Sequence, residues 1–333
     1  MAGDLQDAGA EGLLDSIRHD EGVEGLRSYF CKLLRNNRKK AIELINEENL
    51  NFCSFYVLRN EIAAAGFIRH MNSRNMNSLR ILYAISNKNT REMNQLIRNQ
   101  NAAANEALKW IFCTGCAEDG LSSKYDEIME LSAGLLVKHY RDNSILPVVA
   151  DMIFSRHRNK QLIHNLVWTF FEARNPGSLM YLANYLSSQD SRDYELALRL
   201  LGLTPDIENI KGMNRNRIYY DTCRWIQENS LFLYRTDECL HLTAFPQPYR
   251  LSVEAKYLNR PVSPDDGRPL RSITGDEETL LGGFRALDSD SRLQLANFSY
   301  MLYNRNVHQW NEWIRFPVQD QLRTLKMATG GRS

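Results

Sequence analysis

An all-α fold, a right-handed solenoid of stacked antiparallel helix pairs, is predicted by three features of the sequence. Amphipathic helical stripes follow one another closely from residue 23 to 230, strand-type alternation is nearly absent, and helix start and stop signals recur between the stripes. Helix pairs that cannot bury an apolar face alone do so by stacking.

The elements follow in order. Residues 1–30 carry two basic and seven acidic side chains, and residues 1–22 are expected to form an acidic flexible tail. The first fifteen residues have neither a basic leader nor an apolar core of signal-peptide length, so a cytoplasmic protein is expected. Within 23–230, the helical-repeat domain, Leu79, Ile81, Leu82 and Ile85 open the run of stripes, followed by Ile128, Leu131, Leu135 and Leu136. The broadest stripe joins Leu162, Ile163, Leu166, Val167, Phe170 and Phe171, and Leu196, Ala197, Leu200 and Leu201 form the next. Capping-box spacing occurs at Asn89 with Glu92, Ser123 with Asp126 and Thr274 with Glu277, where a short polar side chain accepts an orphan N–H and an acid three residues on reaches back. Asn175-Pro176 fits a cap followed by proline at the first helical position, and Gly120 and Gly202 fit helix stops. Trp110, Trp168 and Trp225, spaced by 58 and 57 residues, are compatible with a repeat of two helix pairs.

Pro246, Pro248, Pro261, Pro264 and Pro269 exclude continuous helix and make 231–275 an irregular connector, with a short strand expected around Leu251 to Tyr257. Residues 276–327 return to helix, dense in aromatics (Phe298, Tyr300, Tyr303, Trp310, Trp313, Phe316), and are expected to cap the stack; 328–333 are expected to be a disordered tail.

The segment from Leu179 to Gly202, with a polar turn at Ser187 to Asp193 that contains Asp190, and with Ala197 in the following helix, resembles a HEAT-type repeat. It departs from that family at Glu195, near the place where the family often has a basic residue. The resemblance implies scaffolding or partner binding and carries over no catalytic residue. Trp225 and Asn229, one turn apart, are similar to the W-x-x-x-N pair of armadillo repeats in nuclear import receptors; that likeness implies an Asn that bonds a bound peptide's backbone and a Trp that shelves its side chains. Trp110 and Trp168 have Thr114 and Glu172 at the same offset.

Composition narrows function. With 41 basic and 40 acidic groups the chain is close to neutral, which argues against a dedicated nucleic-acid coat or a polybasic membrane anchor. No apolar stretch approaches the roughly 20 residues of a membrane span. The six cysteines are expected to be reduced, since a core of this size needs no disulfide staples. Cys113 and Cys116 form a C-x-x-C without a second ligand pair, and His157 and His164 lie two helical turns apart, too far for one metal, so neither metal nor cofactor is expected. No nucleophile elbow, phosphate loop or metalloprotease motif occurs, so the chain is read as a non-enzyme. What remains is a basic, asparagine-rich texture near predicted turns. It supports binding of a protein or peptide partner through Arg74, Arg156, Arg158, Lys160, Arg215, Arg217, Trp225 and Asn229. Two alternatives stand beside it. One is a nucleic-acid-binding solenoid resembling the HEAT-like DNA glycosylases, with Trp168 and Glu172 as its aromatic and carboxylate; the other is an enzyme with a site between the solenoid and the C-terminal segment.

Overall fold

A computed structural model describes residues 12–89, 91, 94–95, 102–202, 214–236, 238 and 247–330. The chain is 75% helix, with 16 α-helices and one two-stranded sheet among the described residues, and so is all-α. None of these helices is long and apolar enough to cross a membrane. Two compact units divide at Ala173 and Arg174.

The first unit contains α1 (Leu13–Asn36), α2 (Arg38–Ile45), α3 (Phe52–Ala64), α4 (Ser73–Ser86), α5 (Ala102–Gly115), α6 (Ser123–Lys138), α7 (Leu146–Arg158) and α8 (His164–Glu172). Helix thus begins at Leu13, inside the segment expected to be a flexible tail. The reason is burial: Leu14 and Asp15 are fully enclosed, and Asp15 accepts from the backbone N–H of Asn51 (2.9 Å) and the hydroxyl of Ser54 (2.6 Å). Gly22, at φ 74°, kinks α1 in a conformation that side chains beyond glycine rarely adopt.

Asparagine recurs because it starts helices. Asn37, Asn72, Asn175, Asn214 and Asn306 each accept a backbone N–H two or three residues on, which satisfies an otherwise orphaned donor. Thr274 and Glu277 form the expected capping box in full. Ser123 does not cap α6; Ser122 does, accepting from Tyr125 N at 3.2 Å, while Asp126 takes the N–H of Gly120. Glu92 of the Asn89 box lies outside the described residues.

Several neighbours run side by side in the same direction. In α1 and α3, Asp15 meets Asn51, Arg18 meets Ser54 (3.1 Å) and Arg27 lies 3.6 Å from Glu61. In α6 and α8, Glu130 accepts from Asn165 at 2.6 Å, and Gly134 faces Thr169. These partners are 34 to 36 residues apart in sequence, so the helix register does not follow the 57- to 58-residue tryptophan spacing. Trp110 lies in the core of this unit, its indole N–H donating to Leu50 O at 2.9 Å and its ring edge-on to Phe52 and Phe55.

The second unit contains α9 (Leu179–Ala183), α10 (Ser191–Leu200), α11 (Arg215–Asn229), β1 (Leu233–Arg235), β2 (Tyr249–Leu251), α12 (Val253–Tyr257), α13 (Gly275–Arg285), α14 (Ser289–Arg305), α15 (Val307–Trp313) and α16 (Val318–Gly330). The segment likened to a HEAT repeat is a pair of helices: α9 continues as a 3-10 turn to Ser187, Asp190 caps α10, and Gly202 has φ 72°. The region expected to be irregular holds an antiparallel hairpin, with Leu233 opposite Leu251, Tyr234 opposite Arg250 and Arg235 opposite Tyr249. Two of the prolines join this hairpin through their carbonyls: Pro264 O accepts from Arg235 N, and Pro248 O from Thr236 N; Pro246 lies outside the described residues. Gly267 (φ 72°) turns under Tyr234, whose ring stands 2.7 Å from where a Cβ would lie. The strand expected over Leu251 to Tyr257 is mostly helix, because Val253 to Tyr257 turn Ala255 and Tyr257 into the core.

The aromatic C-terminal helices have a core of their own. Tyr257 stacks on Phe284 at 4.2 Å, Trp313 lies edge-on to Phe298, and Leu281, Leu302 and Leu325 close around them. Helix α16 runs to Gly330, past the boundary at 328 where a disordered tail was expected, with Leu325 packed into this core.

Lys256 is 1% exposed. Its ammonium donates to Asn229 Oδ1 and to Asn297 Oδ1, both at 2.6 Å, and lies 5.2 Å over the ring of Tyr300. Burial lowers its pKa to about 8, against an upward pull from Glu228. Between pH 8 and the ordinary value of 10.5 Lys256 therefore binds more protons in the unfolded chain than in the folded one, so its own contribution to stability rises with pH across that window, against the buried thiols of Cys53 and Cys116, whose raised pKa values lower stability above pH 9. Chemical denaturation at steps from pH 7.5 to 10.5 is expected to give a more positive slope of stability against pH in the native chain than in Lys256→Met; equal slopes in the two would exclude Lys256 as a contributor.

Candidate functional site

The basic residues do cluster near helix ends, but several point at neighbouring carbonyls rather than at solvent. Arg74 donates to the carbonyls of Glu47 and Glu48 (2.8 Å each), closing the exposed end of the turn after α2, and its guanidinium lies 4.4 Å over the ring of Trp110. Arg215 donates to Ser188 O at 3.2 Å and lies 4.5 Å over Tyr194. Arg38 does the same with Ala65 O and Phe67. Such contacts satisfy carbonyls that the last helical turn leaves unpaired.

Arg156 is the extreme case, 3% exposed. Two of its nitrogens bond Asp119 (2.5 and 2.6 Å), and the third bonds Glu130 and, at 3.3 Å, Leu162 O. Burial opposes its charge, yet the hydrogen bonds to Asp119 and Glu130 outweigh burial and hold the guanidinium above its ordinary pKa. Arg156 therefore has no face to offer a partner. Leu162, expected in the helical stripe, precedes α8 and is 85% exposed while its carbonyl takes this bond. Arg158 is half-buried and Lys160 exposed, the latter at φ 58° just beyond α7.

The structure brings four of the expected residues onto α11. Ile218, Ile226 and Asn229 face inward, whereas Arg217, Tyr220, Asp221, Arg224 and Trp225 are exposed. Tyr220 is 65% and Trp225 46% exposed. Asp221 holds Arg224 at 3.0 Å and Arg217 at 3.6 Å, so one carboxylate offsets half the charge of the two arginines. Beside it lies a cleft of about 440 Å³ whose apolar walls include Leu179, Leu200, Leu201, Ile226 and Leu251, with Trp225 at its rim. Asn229 does not act as the armadillo likeness implies. Its amide NH₂ donates to Trp225 O (2.7 Å) and its oxygen accepts from Lys256, so both ends are used inside the unit. Tyr220 escaped the sequence reading because its helix phase, between Arg217 and Arg224, shows only once the buried face is known.

Trp168 and Glu172, the pair required by the nucleic-acid alternative, both line a groove of about 700 Å³ between α6 and α8. The same groove carries Glu127, Lys138 and His139, so it is not a continuous cationic surface. Cys116 donates its thiol hydrogen to Cys113 O (3.4 Å); no group of three or more metal-ligating side chains is found among the described residues.

Replacing Arg156 by Met leaves Asp119 and Glu130 as poorly solvated, uncompensated carboxylates. The expected loss is about 3–5 kcal/mol in urea unfolding, with partial recovery when Asp119→Asn and Glu130→Gln are added; a loss under about 1 kcal/mol would show the clamp to be solvated. Burial pushes Cys116 and Cys53 up to about 11 and raises Cys113 too, although Lys109 draws the latter back. Among these three, iodoacetamide at pH 7 is therefore expected to alkylate exposed Cys113 first, part-exposed Cys116 more slowly and buried Cys53 only after unfolding, as read by peptide mass spectrometry.

Compared with family models, with curated proteins and with solved structures, the chain finds no significant match in any of the three.

Proposed function

We propose that the protein is a non-enzymatic helical-repeat scaffold that binds a protein or peptide partner, and that the exposed face of α11 with its cleft is the contact surface. The observation that carries this reading is Trp225, half-exposed in the wall of an apolar cleft, with Tyr220 left in solvent elsewhere on the same helix. A half-exposed Trp and a more exposed Tyr on one helix have the composition of interface anchors, which combine broad apolar area with little conformational entropy to lose. The parallel registers of α1 with α3 and of α6 with α8, repeated at about 35 residues, support a stack of helix pairs, the architecture whose usual work is to hold partners.

This reading moves the contact surface away from the basic turns. Arg74, Arg156 and Arg215 already bond carbonyls or carboxylates of their own unit, and a partner would have to displace those bonds. Among the expected residues, Arg217 and Trp225 remain exposed on the proposed surface.

Affinity capture from the native host with the full chain, quantified against Trp225→Ala and Tyr220→Ala, tests the proposal. Recovery of at least one specific partner is expected to fall about tenfold or more in Trp225→Ala, equivalent to roughly 1.4 kcal/mol or more, while the far-ultraviolet circular dichroism is unchanged. Equal recovery of every specific partner by both variants would overturn it.

A further inference from the structure

The groove between α6 and α8 has a chemistry of its own, apart from the α11 surface. Gly134 of α6 faces Thr169 of α8 in this groove: a Cβ added at Gly134 would stand 3.7 Å from Thr169 Oγ1. The groove's walls are Leu131, Leu135 and Trp168. Leu131, in the middle of α6, is 43% exposed although its neighbours Ile128, Met129 and Ser132 are buried. The charged groups that face the groove are not scattered. Glu127 and Glu130 stand toward the start of α6 and Lys138 and His139 at its end, where Glu172 of α8, level with residue 137 by the 35-residue register, offsets part of the positive charge of Lys138 without an ion pair to it, so the groove runs from acidic to nearly neutral. Glu130 is already neutralised by Arg156 and bonded by Asn165, whereas no cation among the described residues pairs with Glu127. From Glu127 to Lys138 is eleven residues of helix, about 16 Å or three turns.

We propose that this groove receives an amphipathic helix of a partner protein, lying antiparallel to α6 with an acidic residue over Lys138 and a basic residue over Glu127. A helix fits where an extended peptide does not. The walls are helices whose backbone groups are bonded within themselves, so they offer no strand edge to satisfy an extended chain, while a helix satisfies its own backbone and needs only an apolar stripe to bury. The direction follows from the charges. An acidic first turn and a basic last turn are the arrangement a helix dipole favours, and that arrangement matches Lys138 and Glu127 only when the incoming helix runs opposite to α6. The overall charge of the chain is +1, so discrimination between peptides of equal charge and opposite order would have to come from local fields.

The test uses two labelled amphipathic peptides of about 15 residues with the same apolar stripe, one with Glu in its first turn and Lys in its last, the other with the order reversed. Fluorescence anisotropy with the full chain is expected to show the first peptide binding about tenfold more tightly. The double variant Glu127→Lys with Lys138→Glu is expected to shift that ratio toward the reversed peptide by a similar factor, and because the same two peptides are compared on both proteins, differences in their intrinsic helicity cancel. Leu131→Asp, at a half-exposed position that tolerates a polar side chain, is expected to weaken both peptides. Trp225→Ala is expected to change neither, which separates this groove from the α11 surface. Equal affinity for the two peptides, a ratio unmoved by the double variant, or no binding of either would each overturn the proposal.

Discussion

The short turn after α5 holds the first unit together through two adjacent carboxylates. Glu118 bonds Arg18 of α1 at 3.0 Å, and Asp119 bonds Arg156 of α7 at 2.5 and 2.6 Å. Both arginines are nearly enclosed, and each reaches a second polar group, Ser54 on α3 for Arg18 and Glu130 on α6 for Arg156. Two charge networks thus meet at neighbouring residues and tie four helices, α1, α3, α6 and α7, to the turn after α5. Apolar stripes alone would leave such helices free to slide by a turn, because one leucine packs much like another. A buried guanidinium does not allow that: any register that separates it from its carboxylates leaves an uncompensated charge, at a cost of several kcal/mol. Arginine suits the task better than lysine, since its planar fork bonds Asp119 twice and still reaches Glu130.

The same constraint explains why Arg74, Arg156 and Arg215, expected to face a partner, bond groups of their own unit. A helix stack has many C-terminal carbonyls in need of donors, and Arg38, Arg74 and Arg215 meet that need while laying their guanidinium planes over Phe67, Trp110 and Tyr194. Those cations serve as internal donors. The asparagines of the same turns do the complementary work at helix starts, as Asn37 and Asn72 show. The basic and asparagine-rich texture is thereby largely accounted for by helix ends.

What could be read in the sequence was local. The capping box of Thr274 and Glu277 depends on residues three apart, and the glycine stops at Gly120 and Gly202 depend on one backbone angle. The periodicity of apolar pairs likewise marked the helices, because each turn reports its own burial, but it overreached at Leu162, which precedes α8 and is exposed, and at Leu131, which is half-exposed. The fate of Arg156 was not readable, since its partners lie 26 and 37 residues away and nothing near it distinguishes a buried arginine from a solvated one. Nor was the extent of α1, which begins earlier than composition suggested because Asp15 finds its partners on α3. Tryptophan spacing misled for a related reason. Trp110 is a core residue, Trp168 lines a groove and Trp225 stands at the rim of a cleft, so the three do not share an environment.

The surroundings of Asn229 show how the second unit presents its aromatics. Asn229 ties the carbonyl of Trp225 to the last turn of α11 and holds Lys256, which reaches on to Asn297 of α14. The end of α11 that carries Trp225 is thus fixed to two other elements through one buried ammonium. A side chain left in solvent on such a support has its backbone already ordered, so a contact made there loses only the freedom of the ring. The polar groups are buried in the support and the apolar ring is exposed, the reverse of what burial alone would favour. That arrangement costs stability at Lys256 and leaves apolar area uncovered at Trp225, two costs for which the contact surface proposed on α11 would supply the reason.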